Sequence, residues 1–248
     1  MAGSQEIVLV MLSIIIPTLN EEDYLPLLLE SIKNQKFEEE YEIIVADNNS
    51  KDRTVEIAEN YGCKVVSGGL PAKGRNEGVK AAQGDLFLFL DADLVLPEGF
   101  LAKFLKEFRE NDLDIASSDL DFLTDKKIYK IGAKLCSFYF KRAQRFLPCI
   151  TECILVKKYF HQEGEFDEDV RLLEDFVYVR KIAKKGKFGH LSSIKFYTST
   201  RRFEKDGKFK TLFKYLLANI YMVLLGPIKS DIFNYKFNHR SQKTKKEI

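Results

Sequence analysis

The feature that most constrains this chain is a repeated unit: a short apolar run ending in polar residues, followed by a stretch with helical spacing. Leu12–Ile16 is such a run and stops at Pro17, and Glu21–Asn34 follows with Leu25, Leu28, Leu29 and Ile32 on one helical face. Tyr41–Ala46 is the next run and stops at Asp47, ahead of a helix predicted over Asp52–Tyr61. Cys63–Ser67, a helix over Lys73–Gln83 and the apolar run Asp85–Leu90, which stops at Asp91, complete the series. Unbroken apolar runs of four to eight residues read as strands buried on both faces. Alternating with helices, they predict an open, mostly parallel sheet wrapped by helices. Ligands on such sheets bind at the carboxyl ends of the strands.

Polar residues gather at those ends. Thr18, Asn20 and Glu21 follow the first strand, Asp47 to Ser50 the second, and Asp91 and Asp93 the fourth. Turns and helix caps favour Asp, Asn and Ser, and Asn49, Ser50 and Asp52 are expected to cap the helix near Arg53. Capping does not explain carboxylates converging on one edge of the sheet. No G-x-G-x-x-G follows the first strand and no G-x-x-x-x-G-K-[ST] occurs, which excludes the common dinucleotide and P-loop sites.

Asp91-Ala92-Asp93 is flanked by FLFL and by Leu94-Val95-Leu96-Pro97, placing two hard oxygen ligands on a turn at the sheet edge. Such ligands suit Mg²⁺ or Mn²⁺ bridged to a diphosphate, where the cation neutralises charge on a departing nucleoside diphosphate. Asp47 offers an acceptor to the ring N–H of uracil or guanine, which adenine lacks at that position. Arg75, in Lys73-Gly74-Arg75-Asn76, has a planar fork suited to base or phosphate; its bland alternative is a solvated surface arginine. Glu174-Asp175 opens a helix predicted over Phe176–Lys184, where acidic residues also favour the helix dipole. Asp175 is the candidate general base toward an acceptor hydroxyl, with Glu174 beside it.

Taken in order, LSIIIPTLNEE (12–22), IIVADNNSKDRT (43–54), KGRNEG (73–78), DLFLFLDADLVLP (85–97), GEFDED (164–169) and LLEDFVYVRKI (172–182) resemble family-2 glycosyltransferases over roughly residues 12–190. The resemblance implies a GT-A-type α/β fold, an inverting reaction and a divalent metal, and with Asp47 reading the base the expected donor is a UDP- or GDP-sugar. It implies nucleotide contacts at Thr18, Asp47, Arg75 and Asp91, metal at Asp93 with Asp91, and base action at Asp175. Pro17, Asn20, Glu21, Asn49 and Lys73 lie in the same segments and join the donor-binding candidates. Thr200-Arg201-Arg202-Phe203 resembles a basic element that would face the diphosphate. Glu165 stands where relatives often carry a second glycine. The rival readings are a sugar-phosphate nucleotidyltransferase, whose glycine-rich loop is absent, and a non-catalytic nucleotide-sugar- or carbohydrate-binding module. The acceptor is expected to be a saccharide or small-molecule hydroxyl, or a lipid-linked group; nucleic acid is not an expected partner.

The overall charge of +2 hides an asymmetry, since residues from Arg201 onward carry 12 basic and 4 acidic groups. Three parts are expected: an extension at 1–11, a catalytic domain at 12–200 and a basic helical segment at 201–248. Phe209–Leu225 reads as a helix with Phe209, Leu212, Phe213, Leu216, Leu217, Ile220 and Leu224 on one face. It is too short to span a bilayer comfortably, so it is expected to meet an anionic membrane surface, a second subunit in a homodimer, or the catalytic domain. Four cysteines form no disulfide framework, and Cys149 and Cys153 are spaced to share a helix face. No leader pattern is evident, so the expected address is cytoplasmic, with peripheral contact at the inner face of the membrane.

Overall fold

The computed structural model describes residues 10–144 and 150–233. Most of the expected N-terminal extension, Cys149 and the last fifteen residues of the basic tail lie outside the described residues.

The chain runs β1 (Leu12–Thr18), α1 (Leu25–Lys33), β2 (Tyr41–Asp47), α2 (Thr54–Asn60), β3 (Lys64–Ser67), α3 (Pro71–Ala81) and β4 (Leu86–Leu90). It continues through β5 (Leu94–Val95), α4 (Phe100–Glu110), β6 (Ile115–Phe122), α5 (Lys127–Ala143), β7 (Cys153–Lys157) and α6 (Lys158–Gln162). Then come α7 (Glu174–Ile182), β8 (Phe188–Thr198), α8 (Arg201–Asp206) and α9 (Lys208–Leu225). One eight-stranded sheet has the order β3-β2-β1-β4-β7-β6-β8-β5. Pairings among β3, β2, β1 and β4 are parallel, β7 is antiparallel to both neighbours, β6 and β8 are parallel, and β5 is antiparallel to β8. All strands except β7 and β5 therefore point the same way, which is the expected α/β sheet of GT-A type.

Two apolar layers explain why the strands read as unbroken runs. Leu86, Leu88 and Leu90 of β4 join one layer with α1 and α4, whereas Phe87 and Phe89 join the other with Tyr178, Val179 and Ile182 of α7. A strand whose alternate residues enter two cores needs apolar residues at every position. Burying each phenylalanine contributes about 1.5–3 kcal/mol.

The starts of α1, α2 and α3 differ from the sequence reading, for local reasons. α1 begins at Leu25, not Glu21, because Asn20 is left-handed (φ 57) and the Glu21 and Glu22 N–H groups donate to Thr54 Oγ1 and Asp52 Oδ2. Pro26, which lacks an N–H, then suits the first turn. α3 begins at Pro71 for the same reason. α2 begins at Thr54, whose N–H donates to Asp52 Oδ1, while Ser50 turns instead to Asp47. Gly78 lets α3 lie against β1: a Cβ there would run into Ile15 Cγ2. Cys153 sits in β7 and not on a helix face, and Cys63, Cys136 and Cys153 are free thiols.

Candidate active site

The parallel register of β1 and β2 sets Thr18 beside Asp47. Thr18 Oγ1 and Ser50 Oγ donate to Asp47 Oδ1 at 2.9 and 2.6 Å, and the Ser50 N–H donates to Oδ2 at 2.9 Å. Asn20 ties the two loops together, its N–H reaching Ser50 Oγ and its Oδ1 accepting from the Lys51 N–H. An ionised carboxylate has about four acceptor positions, so Asp47 retains one beyond these three bonds. Asn49 is exposed on the same loop with φ 54. Pro17 packs on α3 beside Gly74, and Lys73 is exposed with its stem against Gly69.

A few residues along the edge, the turn from β4 to β5 holds Asp91 and Asp93. Each meets an arginine. Arg75, buried on α3, donates to Asp91 Oδ1 at 2.8 Å and to Glu174 Oε1 at 2.7 Å, and its guanidinium lies 5.3 Å from the centroid of the Phe166 ring. Burial works against the Arg75 charge, but Asp91, Glu174 and Asp175 outweigh it and hold the guanidinium firmly protonated. Arg201, the first residue of α8, grips both oxygens of Glu21 at 2.6 Å, lies 3.2 Å from Asp93 Oδ2 and stacks on Tyr24. Burial raises the carboxyl of Asp91, against the pull of Arg75 and with the push of Asp93 and Glu174. Burial likewise lifts Glu21 to about 7, opposed by Arg201 and helped by Asp93 and Asp91. Arg202 hydrogen-bonds the Tyr215 hydroxyl, and its charge reaches Asp91.

Glu174 and Asp175 are the first two residues of α7, which starts earlier than the Phe176 expected. Leu173, just before them, is left-handed (φ 61), a conformation that costs a leucine of order 1–3 kcal/mol. It is held there by packing with Leu172, Ala218, Met222 and Ile228. Asp175 Oδ1 accepts the Phe176 N–H at 2.8 Å. Burial, with the nearby charges of Glu174 and Asp91, raises Asp175 to about 7, although Arg75 pulls the other way. The segment 164–169 is tied to α3: Asn76 donates to Phe166 O and Glu168 Oε1 and accepts the Phe166 N–H. Phe166 stacks on Tyr178 of α7 at 3.9 Å.

One acidic residue escaped the sequence reading. Glu152 precedes β7, and its backbone carbonyl accepts the Asp91 N–H at 3.4 Å. Burial lifts its carboxyl to about 8, with Asp93 and Asp91 pushing the same way. Its Oε2 is shielded from solvent and has no hydrogen-bond partner among the described residues. Because β7 runs antiparallel, its amino end, not its carboxyl end, reaches the site.

The donor chemistry fits a divalent cation shared with a diphosphate. Asp91 and Asp93 supply hard oxygens on one turn, and Glu152 leaves a shielded oxygen without a partner beside them. It does not fit an all-protein cage, since no group of three or more His, Cys, Asp or Glu among the described residues is placed to hold an ion. Mg²⁺ commonly binds through one or two carboxylates plus substrate phosphates.

A mostly parallel sheet with paired carboxylates at its edge, two arginines across them and an acidic pair opening a helix beyond is a GT-A-type arrangement. Residues 13–154 match the model described as glycosyl transferase family 2, and the chain belongs to that family. It is 31% identical over 233 residues to a dolichol-phosphate mannosyltransferase of Pyrococcus furiosus, covering 86% of this chain and 63% of that protein. It is 32% identical over 137 residues to the glycosyltransferase YfnE of Bacillus subtilis, covering 52% of this chain and 32% of that protein. The chain thus spans less than two thirds of the length of these relatives. Two solved structures share the fold. The mannosyltransferase PcManGT of Pyrobaculum calidifontis, with GDP-Man and Mn²⁺, has a TM-score of 0.67 at 18% identity, covering 86% of this chain and 63% of that one. Residues 1–349 of S. aureus TarS, with UDP-GlcNAc, give 0.62 at 21%, covering 85% and 66%.

Proposed function

We propose that this chain transfers a sugar from a UDP- or GDP-sugar to an acceptor hydroxyl, with inversion at the anomeric carbon. The observation that carries this reading is the bridge made by Arg75, which joins Asp91 on the metal–diphosphate side to Glu174 beside Asp175 on the acceptor side. Family membership and fold neighbours solved with GDP-Man and UDP-GlcNAc support the donor class.

In this reading the remaining acceptor position of Asp47 takes the ring N–H of uracil or guanine, and Thr18 and Ser50 hold that carboxylate in place. Asp91 and Asp93 would hold a Mg²⁺ or Mn²⁺ ion, which when bound neutralises charge on the departing diphosphate. Arg201, freed from Asp93 or shared with it, faces the same phosphates, with Arg202 behind it. Asp175 removes the proton from the acceptor hydroxyl as its oxygen attacks the anomeric carbon. Its elevated proton affinity suits that task, because a base matched to neutral pH both exists ionised and accepts the proton readily. A lipid-linked hydroxyl acceptor is favoured by one further observation, the exposed apolar faces described below.

Calorimetry with UDP, GDP and ADP, with and without Mn²⁺, tests the reading. UDP or GDP should bind at least about tenfold more tightly than ADP, a margin equal to one or two hydrogen bonds. Mn²⁺ should tighten binding to the wild-type chain and not to Asp93→Ala. Equal affinity for all three nucleotides would remove Asp47 as the base-reading residue. Absence of sugar release from every UDP- and GDP-sugar tried would favour a non-catalytic binding module, and incorporation of a nucleotide onto a sugar phosphate would favour a nucleotidyltransferase.

A further inference from the structure

Two helices turn apolar residues away from the fold. α5 rests on the domain through Tyr129 and Ala133, one turn apart, while Ile128, Ile131, Leu135, Phe138 and Tyr139 are each more than half exposed. Those five recur at helical spacing and form a stripe along the outer side. α9 behaves in the same way. Thr211, Ala218 and Met222 face inward, and the broad apolar face of Phe209, Leu212, Phe213, Leu216, Ile220 and Leu224 faces outward, with Phe209 82% exposed. Single exposed apolar residues are ordinary; repeated stripes on two neighbouring helices mark an interaction surface.

The two helices are rooted together. Tyr129 of α5 packs at a tilt on Phe122 and edge-on to Phe203 of α8, Lys208 of α9 lies 4.9 Å from the Tyr129 ring centroid, and Lys126 pairs with Glu204 of α8 at 2.8 Å. Their charge identifies the occupant. α5 contains five basic residues, of which Lys130 turns inward to pair with Asp121 at 3.2 Å, and α9 three, and neither contains an acidic one. The sequence beyond residue 233 adds five more basic residues and one acidic. A second copy docked on this surface would set like charges against each other, whereas anionic headgroups complement them. Among the described residues no helix is long and apolar enough to cross a membrane, so these helices would lie in its plane.

We propose that α5 and α9 together form a bilayer-docking surface, with both apolar stripes sunk to the acyl boundary and the basic side chains that flank the stripes on anionic headgroups. The surface is mechanically tied to the site. α9's inward face packs on Leu172 and Leu173, which adjoin Glu174 and Asp175, and α8, which leads into α9, carries Arg201 onto Asp93 and Glu21. Docking would hold the site at a fixed height above the lipid, within reach of an acceptor anchored in it. The inference does not depend on sugar transfer, because lipid binding is read without any nucleotide.

The test is co-sedimentation of the full chain with phosphatidylcholine vesicles, with and without phosphatidylglycerol. Two double variants complete it: Ile131→Ser with Leu135→Ser on α5, and Leu212→Ser with Leu216→Ser on α9. The wild-type chain should bind only the anionic vesicles and less tightly as salt rises. Each double variant should lose about tenfold or more in affinity, with unchanged thermal melting and nucleotide binding. No vesicle binding, or equal binding to neutral vesicles, would overturn the proposal. So would an α5 variant that binds like wild type, which would leave α9 alone as the contact. A concentration-dependent dimer in lipid-free sedimentation velocity that the same variants abolish would assign the surface to a second copy instead.

Discussion

The carboxyl edge of the sheet and the outer side of α5 and α9 break the usual sorting of residues in opposite directions. At the edge, Glu21, Asp91, Asp93, Glu152, Glu174 and Asp175 are drawn out of water around Arg75 and Arg201, and four of the six carboxyls are pushed upward by burial. On the helices, leucines, isoleucines and phenylalanines stand in water. Neither arrangement helps the chain fold. Charges lose solvation that partners repay only in part, and exposed apolar side chains forgo burial. The difference lies in how each region is held. The edge is cross-linked by ion pairs between residues as far apart as Glu21 and Arg201, so removing one member should be felt by fold and function alike. The helix surface makes no such internal demand, and its residues should be replaceable without cost to the fold.

The sharpest break in that comparison is a change that alters chemistry at the edge without altering its shape. Asp175→Asn should lower turnover by about 10²–10⁴-fold with donor affinity nearly unchanged; loss of donor binding with normal turnover on bound donor would make Asp175 a binding residue. In the wild type the base works when deprotonated, so the rate should rise with pH through about 7, a limb the variant lacks. Because the folded state favours the protonated form, the wild-type contribution to stability declines as pH climbs from the ordinary 3.8 through about 7. Above that, the asparagine variant should melt at the higher temperature.

Next in size is Arg75→Met, which keeps the volume and leaves Asp91 and Glu174 without their shared partner. Breaking a buried pair on one side typically costs about 3–5 kcal/mol, readable as a drop in the urea midpoint at constant slope. A midpoint within error of wild type would show that the edge is not held by this cross-link.

The smallest effect is expected on the other side of the comparison. Leu135→Ser on α5 should change stability by no more than about 0.5 kcal/mol, since the side chain is mostly exposed. A loss of several kcal/mol by denaturant titration would mean that the stripe is covered in solution, and the contrast between the two regions would collapse.

Much of this was legible in the residues. β1, β2 and β4 announced themselves because strands buried on both faces need apolar residues throughout, and polar residues at their carboxyl ends marked one edge. The helical spacing of α9 was equally plain. Periodicity, though, reports that a helix has a face and not which way it turns: Phe209, Leu212 and Leu216 were grouped correctly, yet the fold buries Thr211, Ala218 and Met222. α5 was not read as a helix from the sequence, so its exposed stripe went unnoticed. Glu152 was hidden because Cys149 and Cys153 suggested a helix face where β7 begins, and because β7 runs antiparallel, so that its amino end and not its carboxyl end reaches the site. Arg75 was visible as a candidate, but its partners lie 16 and 99 residues away in sequence, and no local pattern encodes such a distance. Sequence by itself determined the alternating elements of the first ninety residues, the helices at α7 and α9 and the chemistry available at one edge, because these arise from neighbours along the chain. Tertiary structure alone decided which charges pair, which carboxyls lose their water and which apolar faces remain in solvent, because these depend on strand order and packing between segments the chain keeps far apart.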